Sequence, residues 1–273
     1  MCIKPNEKCQ TQSIAHSITV RCPAKINETL SVGAPDSKGY HPIETTFQAV
    51  GLYDNLTLTT AVENTFRCDV ELPGANTVVR VWNLLRELVK LPPMAVRLEK
   101  HIPAESGLGG GSSDAAGFLR GAERLSGCKI DGKALAEVAA AVGADVPFFL
   151  VGGRAEGRGY GEVLTPLADQ PERWLLIVMP KVVCPTKAMY AKLDAAGRPR
   201  KVGNDFELVA PRECLDLIKR LRDLGSVRAG LTGSGSACFG YFESRSAADV
   251  AGTRFPGMWR RVVQTITRAE TIS

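Results

Sequence analysis

The chain has 273 residues, of which 44% are hydrophobic and 23% charged, and a net charge of +5. That length suits one large domain or two modest ones, and the composition is that of an ordinary globular protein. The positive excess is mild and scattered, which suits a small anionic substrate and argues against a nucleic-acid surface, and no apolar run is long enough for a membrane span.

Met1 to His16 is polar, has no apolar core of a secretory signal, and reads as a flexible extension. The eight cysteines (Cys2, Cys9, Cys22, Cys68, Cys128, Cys184, Cys214 and Cys238) are dispersed and form no Cys-x-x-Cys pair. This usage points to a reducing, cytoplasmic setting rather than a disulfide framework. His16, His41 and His101 show no metal-ligand spacing. Phe66, Cys68, Val70 and Leu72 alternate and predict a half-buried strand over 66–72. Asn76 can cap a helix carrying Val78, Val79, Trp82, Leu85, Leu88 and Val89. Met94, Val96 and Leu98 alternate again as a strand, and a glycine-rich loop follows. Beyond it, Ala115, Phe118, Leu119, Ala122 and Leu125 keep helical spacing. Asp131 starts another helix, which Gly143 stops, and Val146 to Val151 reads as an apolar strand. A second lobe begins near Asp169. It holds a buried strand (Trp174 to Met179), helices near 187–193 and 211–224, a strand–glycine loop–strand over 227–242, a helix near 246–252 and a last strand near 259–266. The mixture predicts an α+β protein of two lobes, divided as 1–168 and 169–273.

The loop is the run Pro103 to Ala116, in which Gly107, Gly109, Gly110 and Gly111 are followed by Ser112, Ser113 and Asp114. Glycines feeding a helix N-terminus leave backbone N–H groups and the helix dipole pointing at one place, an anion site suited to phosphate. No Walker lysine follows, and counting from Gly107 the dinucleotide pattern fails at Ser112. The competing reading is a plain turn linking strand to helix.

Three separated segments belong together: Pro23-Ala24-Lys25-Ile26-Asn27, the loop at 103–116, and Leu231-Thr232-Gly233-Ser234-Gly235-Ser236-Ala237. The trio resembles the three motifs of the GHMP small-molecule kinases. Gly39-Tyr40-His41, Gly143-Ala144-Asp145-Val146-Pro147, Pro185-Thr186 and Asn204-Asp205-Phe206-Glu207 extend the likeness from about residue 20 to about residue 240. They narrow it to members that act on a cytidine-diphosphate-linked methylerythritol. The resemblance implies an N-terminal lobe like the ribosomal S5 domain 2 fold, a ferredoxin-like C-terminal lobe and an active site between them. It implies ATP-dependent phosphorylation of the substrate's 2-hydroxyl in the non-mevalonate isoprenoid pathway, with Mg²⁺ accompanying ATP. The expected protein is a monomer or weak homodimer with no nucleic-acid or membrane partner.

The same resemblance assigns residues. Asp145 is the expected base, orienting and accepting the hydroxyl proton, and Lys25 its partner. Left to the sequence alone, Asp145 reads equally as a loop carboxylate and Lys25 as a solvated strand residue. Pro103, Gly107, Leu108, Gly109, Gly110, Gly111, Ser112 and Ser113 are expected on the nucleotide. Lys100 is expected near it too, against a reading as an exposed strand-end charge. Asp114 reads as a metal contact or as a stabiliser of the first helical turn, the second being preferred. Tyr40 and Tyr190 are expected to clamp cytosine, His41 to read its edge, and Asn27 to bond the substrate. Thr186 is expected on the substrate or as a helix cap, and Gly233, Ser234 and Gly235 as a second phosphate-contacting loop or a plain turn. No metal ligand is assigned. The chain departs from the family pattern at Lys38, where an Asp usually stands, and at Tyr160, where the usual Gly-Arg-Gly-Glu reads Gly159-Tyr160-Gly161-Glu162. The rivals are a GHMP kinase for mevalonate or homoserine, and a non-catalytic nucleotide-sensing relative.

Overall fold

A long antiparallel hairpin organises the first half of the computed structural model, which describes residues 17–71, 75–197 and 203–272. Strand β1 (Ser17–Val32) pairs with β2 (Ile43–Thr60) from Ser17 opposite Thr59 to Val32 opposite Ile43. The register shifts between Pro23 and Ala24 and again between Asn27 and Thr29. Such irregularities re-aim side chains, and here they bracket Lys25 and Asn27. Strands β3 (Thr65–Cys68), β4 (Met94–Glu99), β5 (Arg154–Arg158) and β6 (Val163–Pro166) complete a six-stranded sheet ordered β3-β4-β2-β5-β6, with β1 on β2. The strand expected over 66–72 is shorter than its alternation: it ends at Cys68, Val70 is exposed, and Leu72 lies outside the described residues.

Helices α1 (Thr77–Leu88), α2 (Gly110–Ser126) and α3 (Gly132–Val142) follow, and α1 and α3 begin where their caps say. The Asn76 side chain accepts from Val78 N–H, and Asp131 accepts from Lys133 and Ala134 N–H. Helix α2 lies directly on the hairpin, because a Cβ at Gly117 would collide with Cys22 Sγ. The expected strand at Val146 to Val151 is instead the short helix α4 (Val146–Val151). Pro147 falls in its first turn, where a fixed φ and a missing N–H favour a helix start and disfavour a sheet ladder. A six-residue apolar run carries no period that separates the two.

The chain leaves this sheet after Pro166 and enters a second at Trp174. There β7 (Trp174–Met179), β8 (Arg228–Leu231), β9 (Cys238–Phe242) and β10 (Trp259–Gln264) form an antiparallel sheet ordered β10-β7-β9-β8. Helices α5 (Thr186–Ala195), α6 (Arg212–Asp223) and α7 (Arg245–Gly252) and a 3-10 turn at Asp205–Leu208 belong to this half, and α8 (Arg268–Ile272) returns to α4. Ala24, Ile26, Leu52 and Leu108 pack with Leu175, Ile177, Phe239 and Tyr241 in one buried cluster, so the two sheets share a core. Buried Glu28 reinforces it, accepting from Tyr241 Oη at 2.9 Å and pairing with Arg154 at 2.9 Å. The loops at this junction form the site. Among the described residues no helix is long and apolar enough to cross a membrane.

Candidate active site

Lys25 is held by its backbone before its side chain does anything. Its N–H bonds the Leu108 carbonyl at 2.9 Å, which ties β1 to the glycine loop. The ammonium, 3% exposed, lies 3.2 Å from Asp145 Oδ2 and donates to Asn27 Oδ1 at 2.6 Å. Asp145 occupies the cap position of α4 but makes no side-chain cap bond, and remains 31% exposed. The site thus sets a partly open carboxylate beside a buried ammonium. Sequence and structure agree in bringing this pair together.

The glycine loop sits immediately beside it. Gly107 and Gly109 take φ of +80° and +74°, and Gly109 precedes α2 without any side chain capping the helix. The N-terminal N–H groups of α2 thus stay open to an anion. A Cβ at Gly109 would press on Lys25 and Phe149 at 3.0 Å, so the bare backbone is what lets the loop approach the Lys25 side chain. This cradle of backbone donors fits the triphosphate of ATP. Leu108 is wholly buried, leaving only its backbone to the site, and Pro103 accepts from Ser106 Oγ. Ser112 is half-buried, whereas Ser113 is fully buried and its hydroxyl has no partner among the described residues.

Two sequence expectations change here. Lys100 is no exposed strand-end charge: it is 7% exposed and pairs with Asp54 at 2.5 Å and Asp114 at 2.7 Å. Burial alone would pull its ammonium down, but Asp114 and Asp54 outweigh that and hold it above the usual lysine value. Asp114 does not serve the helix end from the surface. It is buried beneath the loop, and burial, with the Asp54 charge adding, pushes its carboxyl up to about 8 against the pull of Lys100. Asp54 also accepts from His101 and Ile102 N–H, at 2.5 and 2.8 Å, fixing the strand exit that leads to the loop. The triad is a foundation for the loop. Asp54 escaped the sequence reading, although a carboxylate inside a strand of Val, Leu and Thr is unusual enough to have marked it.

The opposite wall comes from the C-terminal half. Thr232 Oγ1 donates to Gly107 O at 3.0 Å and Ala237 N–H to Ser106 O at 3.1 Å, so the loop at 232–237 docks on the glycine loop. Asn27 is the clasp between halves: its Oδ1 accepts from Gly233 N–H at 2.9 Å as well as from Lys25, and its Nδ2 donates to Thr45 Oγ1 at 2.8 Å. Asn27 thus bridges the two glycine-rich loops, a role the sequence did not show. Thr186 lies in the first turn of α5, behind Pro185 at the cap position, and its hydroxyl meets Ser234 Oγ at 3.1 Å. Asn204 donates to the Leu231 and Gly233 carbonyls at 2.9 and 2.8 Å, fixing the loop that carries Gly233, Ser234 and Gly235.

The aromatic residues gather at the far end. His41 stacks on Tyr190 with ring centroids 4.7 Å apart, and its Nδ1 and Nε2 lie 3.2 Å from Gly33 O and 3.5 Å from Asp194. Tyr190 also meets Phe206 edge-on, and its phenol is pushed up to about 12 by burial and then by the Asp145 charge. Tyr40, 62% exposed, has Tyr160 rather than Tyr190 as its ring partner, at 5.6 Å. Among the described residues no group of three or more His, Cys, Asp or Glu is placed to hold a metal ion.

Known proteins resemble this chain along most of its length. Residues 76–153 match the GHMP kinases N terminal domain, and residues 208–260 match the GHMP kinases C terminal domain. The chain is 33% identical over 281 residues to the 4-diphosphocytidyl-2-C-methyl-D-erythritol kinase of Moorella thermoacetica, covering 92% of this chain and 99% of that one. It is 32% identical over 279 residues to the enzyme of the same name from Caldicellulosiruptor saccharolyticus, covering 89% and 94%. A crystal structure of a 4-(cytidine 5'-diphospho)-2C-methyl-D-erythritol kinase superposes with a TM-score of 0.79 at 31% identity, over 91% of this chain and 99% of that one. The homoserine kinase of Cytophaga hutchinsonii, at a TM-score of 0.66 and 20% identity, shares the fold. Near-full-length identity on one side and the Lys25–Asp145 pair beside a glycine loop on the other lead to one conclusion: the chain belongs to the 4-diphosphocytidyl-2-C-methyl-D-erythritol kinases, a family of the ATP-using GHMP kinases.

Proposed function

We propose that the protein transfers the γ-phosphoryl group of ATP to the 2-hydroxyl of 4-diphosphocytidyl-2-C-methyl-D-erythritol, giving the 2-phosphate and ADP. The observation that carries the mechanism is the 3.2 Å pair of Lys25 and Asp145 at the mouth of the glycine loop. The open N–H groups of α2 and the backbone from Gly107 to Ser113 would hold the ATP phosphates. Mg²⁺ bound with ATP would neutralise triphosphate charge. Asp145 orients the attacking hydroxyl and accepts its proton. The Lys25 ammonium holds that carboxylate in place and faces the charge on the transferring group. Because phosphoryl transfer is loose, positioning of the hydroxyl counts for more than early proton removal.

At the other end, Tyr40, His41 and Tyr190 offer ring faces and edges for cytosine. Thr186, Ser234 and the Gly233–Gly235 backbone line the path between base and hydroxyl. Ring faces accept any base, so the choice of cytosine rests on His41 and its neighbouring backbone. The test is ADP release from ATP and Mg²⁺ with the cytidyl compound, run beside mevalonate and homoserine. Release with the cytidyl compound alone supports the assignment. Equal release with another alcohol would move the function elsewhere among the GHMP kinases.

A further inference from the structure

Tyr160 sits on the turn between β5 and β6, outside the groups that touch the reacting atoms. That turn is firmly built: Gly161 N–H bonds Arg158 O at 3.0 Å, Tyr160 N–H bonds Glu162 Oε2 at 2.7 Å, and Ile43 N–H bonds Gly159 O at 2.7 Å. From it, the Tyr160 hydroxyl donates to Asp36 Oδ2, and its ring meets the Tyr40 ring at 5.6 Å.

The segment it reaches has little else to hold it. Residues 34–40 are all exposed, so no apolar burial fixes them. They form a local turn in which Asp36 Oδ1 accepts from Lys38 and Tyr40 N–H at 2.8 and 3.0 Å, and Asp36 N–H donates to Tyr40 O at 2.8 Å. These bonds shape the turn internally but do not anchor it to the rest of the molecule. The base of the segment is pinned where Gly33 N–H meets Pro42 O at 2.7 Å. At the tip, the described anchor is the Tyr160 side chain, which grips the turn through Asp36 and through Tyr40 itself.

We propose that Tyr160 is a positioning residue for the nucleobase end of the substrate: it holds the Asp36–Tyr40 turn against the sheet so that the Tyr40 ring is in place before cytosine arrives. This rests on the reading of Tyr40 as a base-stacking residue. A ring already ordered loses less freedom on binding, so the effect falls on substrate affinity and not on the chemical step. The Tyr160 side chain bonds Asp36 and meets the Tyr40 ring rather than Asp145, and the adjoining Gly161 backbone beside the Ala144 carbonyl is unaltered by substitutions at 160.

The experiment compares wild type with Tyr160→Phe, which keeps the ring and loses the hydroxyl, and Tyr160→Ala, which loses both. Amide hydrogen exchange at Lys38 and Tyr40 in the free protein reports the hold. Steady-state kinetics with 4-diphosphocytidyl-2-C-methyl-D-erythritol and ATP report its use. Exchange at both amides is expected to quicken in both variants. KM for the cytidyl substrate should rise several-fold in Tyr160→Phe and on the order of tenfold in Tyr160→Ala, while saturating kcat and KM for ATP stay near wild type. Unchanged exchange overturns the hold, and faster exchange with unchanged KM overturns its purpose. A parallel loss of kcat, ATP affinity and thermal stability would show a general structural role and overturn the proposal as well. A wild-type enzyme indifferent to the cytidyl group would sink the reading of the site and this proposal with it. Absence of the KM effect in an enzyme that does prefer the cytidyl compound sinks this proposal alone.

Discussion

The Lys25 ammonium lies 3.2 Å from Asp145 while the Lys25 N–H holds the Leu108 carbonyl at 2.9 Å, so one residue links the carboxylate to the glycine loop. The backbone half of that link survives any substitution at 25, whereas the ammonium does not. Lys25→Ala should therefore leave the loop in place and lower kcat by about 10²–10³, the usual cost of losing a fixed charge that stabilises a transition state. ATP titration of the variant, run beside turnover, separates the two effects: KM for ATP should change far less than kcat.

Gly107 tests the contact between the two halves. Its φ of +80° is unfavourable for any side chain, and a Cβ there would run into the Thr232 carbonyl. Gly107→Ala should push the loop at 232–237 off the glycine loop and destabilise the fold by about 1–3 kcal/mol. Denaturant unfolding gives the loss of stability, and a raised KM for both substrates gives the opening of the site.

Asp114 makes a prediction about pH. Its carboxyl, pushed up to about 8 by burial and by Asp54, holds its proton in the folded protein well above the unfolded value near 3.9. Between about pH 4 and 8 the folded state thus binds more protons than the unfolded state at this group, and stability falls as pH rises, by at most about 1.4 kcal/mol per pH unit. Asp114→Asn keeps an acceptor for Lys100 but has no proton to lose. Unfolding free energies measured across that range should show a shallower fall in the variant than in wild type.

Much of this molecule was legible in its residues, and for identifiable reasons. Asn76 and Asp131 marked helix starts because their side chains do bond the first free N–H groups. The three separated motifs meet in space because Lys25 N–H bonds Leu108 O, Gly233 N–H bonds Asn27 Oδ1, Thr232 Oγ1 donates to Gly107 O and Ala237 N–H bonds Ser106 O. What the sequence withheld depends on partners far along the chain. Lys100 looked like a strand-end charge because its partner Asp54 is 46 residues away, on a strand whose pairing the local pattern does not show. The bridging role of Asn27 did not show because its partner Gly233 is 206 residues away. The misjudged strand at Val146 had a local signal, Pro147, whose preference for a helix's first turn was outweighed in the reading by the apolar run around it. Tyr160 showed only as a departure from a pattern until Asp36 and Tyr40 were seen against it.

The measurement closest to the central claim is turnover of the cytidyl substrate by Asp145→Asn. The substitution keeps size and removes the charge that Lys25 faces, at a position 31% exposed. The account predicts that nucleotide binding and thermal stability stay close to wild type while kcat falls by about 10²–10⁴, the range for a lost acid–base group. An Asp145→Asn enzyme that turns over as fast as wild type would contradict it.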